Sequence, residues 1–418
     1  MQFKWSNMTP RKNITPLSDT IVELLASGAS FTDIHIESGM EIMLRQSPYR
    51  WVKAMIAGQG VRITHDQIIS FLNGVFVGLE EQTATNKEGV QWRVDLHRRG
   101  ALHPAINLSK VMNGKAVTFR VRCSVQKQMM GEAIALVLRP LGEVPKSIAS
   151  LGLPLQVDRM LKAASRGLLV VTGPTGSGKS TTLAAMVAEI NRTRHGNILI
   201  IEEPIEFIHD RDKCIISQRE VGLDVNTFAD GVRDALRSVS DVILIGEIRD
   251  AQTMKAAVRA TESGHLVMAS LHAPTTFAAI RKMLAYLSDS QADMQTLGLL
   301  LRGVVAQALV RDKSENGKNH LAVEFLDCRD ARVVQAVVQS ASGHGQEALS
   351  ALERQLVGGE LDCGLSMIAS LRELLDKDLV DAQSAAGAAT SNEEKLQLLQ
   401  IVAHARPGNS AQPMLWTN

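Results

Sequence analysis

The chain has 418 residues, which at roughly 150 residues per domain points to two or three domains and excludes a disulfide-stapled miniprotein. Its 45 Lys and Arg against 44 Asp and Glu leave a net charge of +1, so no global field drives it onto nucleic acid or an anionic membrane. A content of 45% hydrophobic and 21% charged residues excludes an intrinsically disordered chain.

The first residues, MQFKWSNMTPRKN, lack the apolar stretch of a signal peptide. No run approaches the ~18 uninterrupted apolar residues of a membrane-spanning helix; even Leu297 to Val310 is broken by Arg302 and Gln307. These features point to a protein kept in the cytoplasm, without membrane insertion. Cys123, Cys214, Cys328 and Cys363 lie far apart and form no CxxC pair, so they read as small hydrophobes rather than a zinc or disulfide framework.

In chain order, residues 1–140 read as a small α+β domain. Helices are expected near Ser18 to Ser27 and Thr64 to Val77, and strands at DIHIE (from Asp33), EIMLR (from Glu41), VQWRVDL (Val90 to Leu96) and AVTFRVRC (from Ala116). Pro140, Gly142, Pro145, Gly152 and Pro154 mark residues 141–155 as a linker. Over 156–290, apolar strands (GLLVVTG, NILIIE, VILIGE, HLVMASLHA) alternate with helical segments, the signature of an α/β domain with a parallel sheet covered on both faces. Residues 291–381 read as helical, for instance Thr296 to Val310 and Ile368 to Asp376. The remainder, 382–418, reads as a flexible tail with one short helix at Asn392 to His404.

Within the α/β segment, Gly173-Pro174-Thr175-Gly176-Ser177-Gly178-Lys179-Ser180 matches G-x-x-x-x-G-K-[ST] in full, after an apolar strand and before a helix. Glycines let backbone N–H groups turn toward phosphate oxygens, and the helix N-terminus adds partial positive charge. Lys179 is suited to the β/γ-phosphates and the Ser180 hydroxyl to Mg²⁺; Thr181 continues the nucleotide-binding stretch. Asp241-Val-Ile-Leu-Ile-Gly-Glu247 is an apolar strand running into a carboxylate, which serves the metal side of such a site. Between them, Glu202, Glu203 and Glu206 crowd around Pro204. Like charges so close are unfavourable unless a cation or a proton-accepting task uses them, and either Glu206 or Glu202 could orient and deprotonate an attacking water. His265 and His272 flank the last of these strands, and from their spacing alone carry no assigned role.

The series GPTGSGKSTTLAAM, ILIIEEPIEFIHD, QREVGLD, FADGVRDALR and DVILIGEIRDAQTMKAAVRATESGHLVMASLHA resembles the secretion-ATPase superfamily of type II and type IV secretion and type IV pili. Within it the chain is similar to the pilus-retraction (PilT-like) and type IVB secretion or conjugation (DotB-like) branch. The resemblance implies a RecA-like P-loop domain behind a PAS-like N-terminal domain, assembled as a homohexamer. It implies that Glu206 is the water-activating acid of the Asp box, that Glu247 is the Walker B acid, and that His265 and His272 form the nucleotide-sensing His box. It further implies that Arg120 and Arg139 approach nucleotide phosphates, with Arg233 and Arg237 in the segment before Walker B; a planar guanidinium suits spread phosphate charge. The chain departs from the pattern at Glu203, where Asp is usual, and at Ser238-Val-Ser240, which replaces an acid-proline run. It carries no four-cysteine zinc module.

The resulting expectation is a hexameric, Mg²⁺-dependent ATPase that couples hydrolysis to a type IV secretion, conjugation or pilus machine through platform proteins of the inner membrane. The alternatives are a RecA-like nucleic-acid motor, for which 4% aromatic residues and balanced charge offer little, and an ATP-gated scaffold with little hydrolysis.

Overall fold

The computed structural model describes residues 16–404, except 30, 48–49, 57, 81–90, 113, 129–132, 315–318 and 344. The opening MQFKWSNMTPRKN and the RPGNSAQPM ending lie outside the described residues. Packing divides the chain into two compact units: one runs to Glu143 and includes Pro204–Asp210, and the other comprises Val144–Glu203 and the chain from Arg211.

The first unit contains α1 (Pro16–Ala26), β1 (Asp33–Glu37), β2 (Met43–Ser47), β3 (Arg50–Lys53), the short pair β4 (Met55–Ile56) and β5 (Gln59–Gly60), α2 (His65–Glu80), α3 (Gln91–Arg99), β6 (Ala101–Leu102), β7 (Ala105–Met112), β8 (Lys115–Gln128) and β9 (Ala133–Pro140). Its seven-stranded sheet has the order β3-β2-β1-β9-β8-β6, with β7 also paired to β8. Every pairing in it is antiparallel. Alternation decides its faces. Ile34 and Ile36 of β1, Leu136 and Leu138 of β9, and Val121, Cys123 and Val125 of β8 are buried in one core with Leu17, Ile21, Phe71, Leu72, Trp92 and Leu96 of the helices. The residues between them, Asp33, Arg45, Arg122 and Arg139, point to the other face. The segment expected as the strand VQWRVDL is helical from Gln91 on; Val90 lies outside the described residues. Its alternation also places Trp92 and Leu96 four residues apart, one turn of a helix, and both are buried.

The second unit contains α4 (Leu155–Ala163), β10 (Gly167–Thr172), α5 (Lys179–Thr193), β11 (Gly196–Glu202), β12 (Cys214–Glu220), α6 (Phe228–Ala235), β13 (Val242–Ile245), α7 (Ala251–Glu262), β14 (Leu266–Leu271), α8 (Thr276–Tyr286), α9 (Gln291–Leu300), β15 (Leu301–Val310), β16 (His320–Asp327), α10 (Ala331–Ser340), α11 (Gln346–Gly358), β17 (Gly364–Leu365), α12 (Met367–Asp376), α13 (Ala382–Ala388) and α14 (Asn392–His404). Its eight strands run in the order β12-β11-β13-β14-β10-β15-β16-β17. Pairings are parallel from β12 to β15 and antiparallel beyond. Leu168 and Val170 of β10 join a core with residues of α6 to α11, whereas Leu169 and Val171 join one with residues of α4 and α5. Both faces are covered, which is why these strands are continuous apolar runs.

The helix expected over Thr296 to Val310 does not form as one element: α9 ends at Leu300, and Leu301–Val310 is a ten-residue strand beside β10. The run is apolar on all sides and has no 3.6-residue period to hold it helical, and Val304, Val305 and Val310 favour a strand. The short helix expected at Asn392 to His404 forms as α14, but the rest of the expected tail up to it is not loose: Ala382–Ala388 is α13, and Ala385 and Leu398 share a core with Val310, Ala322 and Leu371.

Candidate nucleotide site

Because β10, β11, β13 and β14 are parallel, their C-terminal ends lie on one edge of the sheet, with the direction of strand addition reversing between β11 and β13. Crevices at such edges are where open α/β sheets bind ligands. The Gly173–Ser180 loop leaves β10 there and enters α5. Thr172 at the end of β10 fastens it to its neighbour: its single O–H faces the carbonyls of Ala273 (2.8 Å) and Leu271 (3.0 Å), and its oxygen accepts the Ala273 N–H at 2.9 Å.

Gly173 has φ +146°, and a Cβ there would lie 2.4 Å from the Gln307 carbonyl oxygen, so only glycine fits. Gly176 and Gly178 also have positive φ, +79° and +88°. Lys179 is buried, and its ammonium donates to the carbonyls of Gly173 and Pro174, both at 3.0 Å. It therefore lies within the turn of its own loop. Pro174, Thr175 and Gly176 are exposed at the rim, while Ser180 and Thr181 are half-buried in the first turn of α5. Among the described residues, Ser177 Oγ in the loop and Gln307 Oε1 are buried without a hydrogen-bond partner.

Glu247 follows β13 by two residues. Its Oε2 accepts from Arg249 Nε at 2.8 Å, and its Oε1 lies 3.2 Å from His272 Nε2. Arg249 also donates to Glu203 at 2.6 Å, so one guanidinium bridges two carboxylates and relieves the like-charge crowding noted in the sequence. Glu202 is half-buried at the end of β11, close enough that a Cβ at Gly246 would sit 3.2 Å from it. Burial, followed by the nearby positive charge of Lys179, holds the His272 imidazole below its ordinary pKa, against the opposing pull of Glu247. A neutral ring beside Glu247 can donate one N–H to it.

The two expected His-box residues separate. His272 follows β14 on the loop edge, whereas His265 precedes β14; its Nδ1 meets the Ala260 carbonyl at 3.0 Å and its own carbonyl accepts the N–H of Gly167 at the start of β10. His265 thus closes the α7–β14 turn at the opposite edge of the sheet and takes no part in the site of its own unit. Arg233 and Arg237 are exposed at the C-terminal end of α6, with Arg233 paired to Asp230 at 2.6 Å.

In the first unit, Glu206 pairs with Arg122 at 3.3 Å, and Arg120 donates two N–H bonds to the Ile205 carbonyl, at 3.1 and 2.9 Å. Arg139 pairs at 2.8 Å with Asp33, whose side chain is 3% exposed. Arg122, Arg249, Gln307 and Glu324 escaped the sequence reading. Arg249 lies two residues from Glu247, a spacing visible in the sequence; the others meet their partners only across long stretches of chain, 84 residues for Arg122 and Glu206, 130 for Gln307 and Ser177 and 48 for Glu324 and Thr276.

The oxygen donors at the loop edge suit a hard divalent cation. The Ser180 hydroxyl and the Glu247 carboxylate, the latter already engaged by Arg249 and His272, fit Mg²⁺ held in part through water.

A glycine-rich loop between β10 and α5, with a lysine inside it and a strand-end carboxylate on the adjoining parallel strands, defines a RecA-like P-loop domain. Comparison with known proteins narrows this: residues 105–355 match the Type II/IV secretion system protein family, and the chain belongs to that family. It is 31% identical over 300 residues to the type IV pilus retractation ATPase PilT of Pseudomonas aeruginosa, covering 70% of this chain and 78% of PilT. It is 39% identical over 207 residues to the type IV pilus ATPase PilU of the same organism, covering 49% of this chain and 52% of PilU. Against the Escherichia coli protein YggR it is 42% identical over 198 residues, 47% of this chain and 60% of YggR. The chain thus matches little more than half the length of two of these relatives. The crystal structure of the pilus retraction motor PilT with bound ADP superposes with a TM-score of 0.69 at 29% identity, covering 92% of this chain and 99% of that one. The Legionella pneumophila ATPase DotB shares the fold, with a TM-score of 0.71 at 23% identity over 92% of this chain and 98% of DotB.

Proposed function

We propose that the chain is a Mg²⁺-dependent ATP hydrolase, acting as a homohexameric ring in the cytoplasm and coupling hydrolysis to a type IV secretion, conjugation or type IV pilus machine through inner-membrane platform proteins. The observation that carries the reading is the Gly173–Ser180 loop with Lys179 held inside it and Glu247 and His272 in contact on the same sheet edge. Similarity to PilT, PilU and the ADP-bound PilT structure supports it. Among the described residues no helix is long and apolar enough to cross a membrane, consistent with attachment through partners.

In this scheme Lys179 and the loop N–H groups bind the β- and γ-phosphates. Ser180 and Glu247 would hold Mg²⁺, which would supply charge neutralisation for phosphoryl transfer to water. Glu206 orients and deprotonates that water, with Glu202 the second candidate. Arg120 and Arg139 offset phosphate charge, His272 senses it, and Arg233 and Arg237 offer further guanidinium groups at the end of α6.

The test is ATP turnover of the purified chain across a range of its own concentration, with Mg²⁺. Turnover per subunit should rise steeply with concentration, vanish in Lys179→Ala, and vanish in Glu206→Gln while ATP binding persists. Wild-type rates in either variant would reject the site.

A further inference from the structure

Behind the P-loop lies a polar residue that the phosphate-binding motif does not include. Gln307 sits in the middle of β15, 1% exposed, in a strand otherwise lined by Gly303, Val304, Val305 and Ala306. Strand pairing puts Val305 opposite Val171 and Ala306 opposite Thr172, so the next position in register sets Gln307 beside Gly173. Its backbone carbonyl occupies the space a Cβ at Gly173 would need, and its Nε2 lies 3.2 Å from where a Cβ at Gly178 would be. From there Nε2 donates to the Ser177 carbonyl at 2.6 Å.

We infer that Gln307 is a positioning residue for the nucleotide site: by holding the Ser177 carbonyl against the sheet, it turns the Gly178 N–H outward to receive phosphate. The geometry follows from the peptide plane. The carbonyl of Ser177 and the N–H of Gly178 belong to one peptide group and point in opposite directions. A carbonyl fixed toward β15 therefore fixes an N–H directed away from it. The N–H of Ser177 itself is engaged by the Pro174 carbonyl at 3.3 Å, which leaves Gly178 as the donor that Gln307 sets.

Folding explains only half of the carboxamide, the Nε2 that satisfies the Ser177 carbonyl. Among the described residues its Oε1 is buried without a hydrogen-bond partner, as is the Ser177 hydroxyl. An unsatisfied buried acceptor is unfavourable, and an apolar side chain of similar length would avoid it. A group that burdens the core while shaping the loop is expected to serve the loop's ligand.

The inference rests on the nucleotide reading, and its test separates the two. MgATP affinity and the nucleotide-free melting temperature are measured on the full chain for wild type, Gln307→Met and Gln307→Glu. Gln307→Met should melt within a few degrees of wild type yet bind MgATP roughly 10- to 100-fold more weakly, the loss of one well-placed donor. Gln307→Glu should bind poorly at pH 8 and recover on acidification to pH 6 relative to wild type, because a protonated carboxyl, favoured by burial, again donates to Ser177. Unaltered MgATP affinity in Gln307→Met overturns the inference alone. If Gln307→Met loses fold and affinity together, the Glu variant decides: recovery on acidification supports the inference, and none overturns it. Wild-type protein that fails to bind MgATP overturns the nucleotide reading and this inference with it.

Discussion

Glu324 is a carboxylate in the middle of β16, 2% exposed, and it accepts both the backbone N–H (2.7 Å) and the hydroxyl (2.8 Å) of Thr276. Thr276 opens α8, four residues after His272, so this contact anchors the loop that carries the imidazole. Glu324→Ala removes the acceptor and strands two buried donors at about 1–3 kcal/mol each, for a total loss of about 3–5 kcal/mol once the cavity is included. Glu324→Gln keeps an acceptor oxygen and removes the charge. Burial raises the Glu324 pKa first, with Glu394 and Glu353 adding to it against the Thr276 bonds. A carboxyl raised in the folded state contributes stability below its unfolded pKa and loses it as pH rises through the folded value. At pH 7 Gln should therefore match or exceed the wild-type residue, and its advantage should vanish near pH 4. Urea unfolding followed by circular dichroism at both pH values measures this. A Gln variant as damaged as the Ala variant at pH 7 would refute the reasoning, because it would mean the charge itself is needed.

Three further outcomes are expected. Gly173→Ala, forced to place a Cβ 2.4 Å from the Gln307 carbonyl oxygen, should weaken MgATP binding more than about 100-fold; Gly176→Ala, with nothing within 4 Å, should cost only about 1–2 kcal/mol of loop strain. Paired titrations by calorimetry compare them. Burial lowers the His209 pKa from 6.5 to about 4, so its contribution is complete above pH 6.5 and is lost as pH falls toward 4, about 3 kcal/mol in all. His209→Gln should flatten the acid limb of a stability–pH curve. Arg139→Ala should destabilise the first unit by about 1–2 kcal/mol, because among the described residues it leaves the buried Asp33 with Arg45, 3.6 Å away, as its one charged partner. Adding Asp33→Asn should restore part of that loss, as read from the fluorescence of Trp51 and Trp92 during unfolding.

The parts of the site carried by contiguous residues were legible in the sequence. The P-loop announces itself in eight consecutive positions, and Glu247 ends an apolar strand of ordinary appearance. Gln307 and Glu324 were not legible, because each meets its partner through strand pairing or packing across a long stretch of chain. In the sequence Gln307 stands out only as an interruption of an apolar run. That run also misled the element assignment, since a segment buried on both faces has neither a helical nor an alternating period. The arginine bridge from Glu247 to Glu203 shows a further gap: the sequence exposes charge crowding but not the cation that resolves it.

The placement of β15 bears on the order in which the molecule can be built. The strand that carries the P-loop is flanked by β14 and β15, both made about a hundred or more residues later in the chain. During synthesis the motif emerges well before the carbonyl and carboxamide that shape it. A fragment stopped at residue 290, where sequence alone would end the core, would leave β10, buried along its whole length in the full chain, as a bare edge open to strand addition by other chains. The nucleotide loop should thus become competent only after Gln307 has left the ribosome, and truncations short of it should yield aggregates rather than a smaller ATP-binding domain.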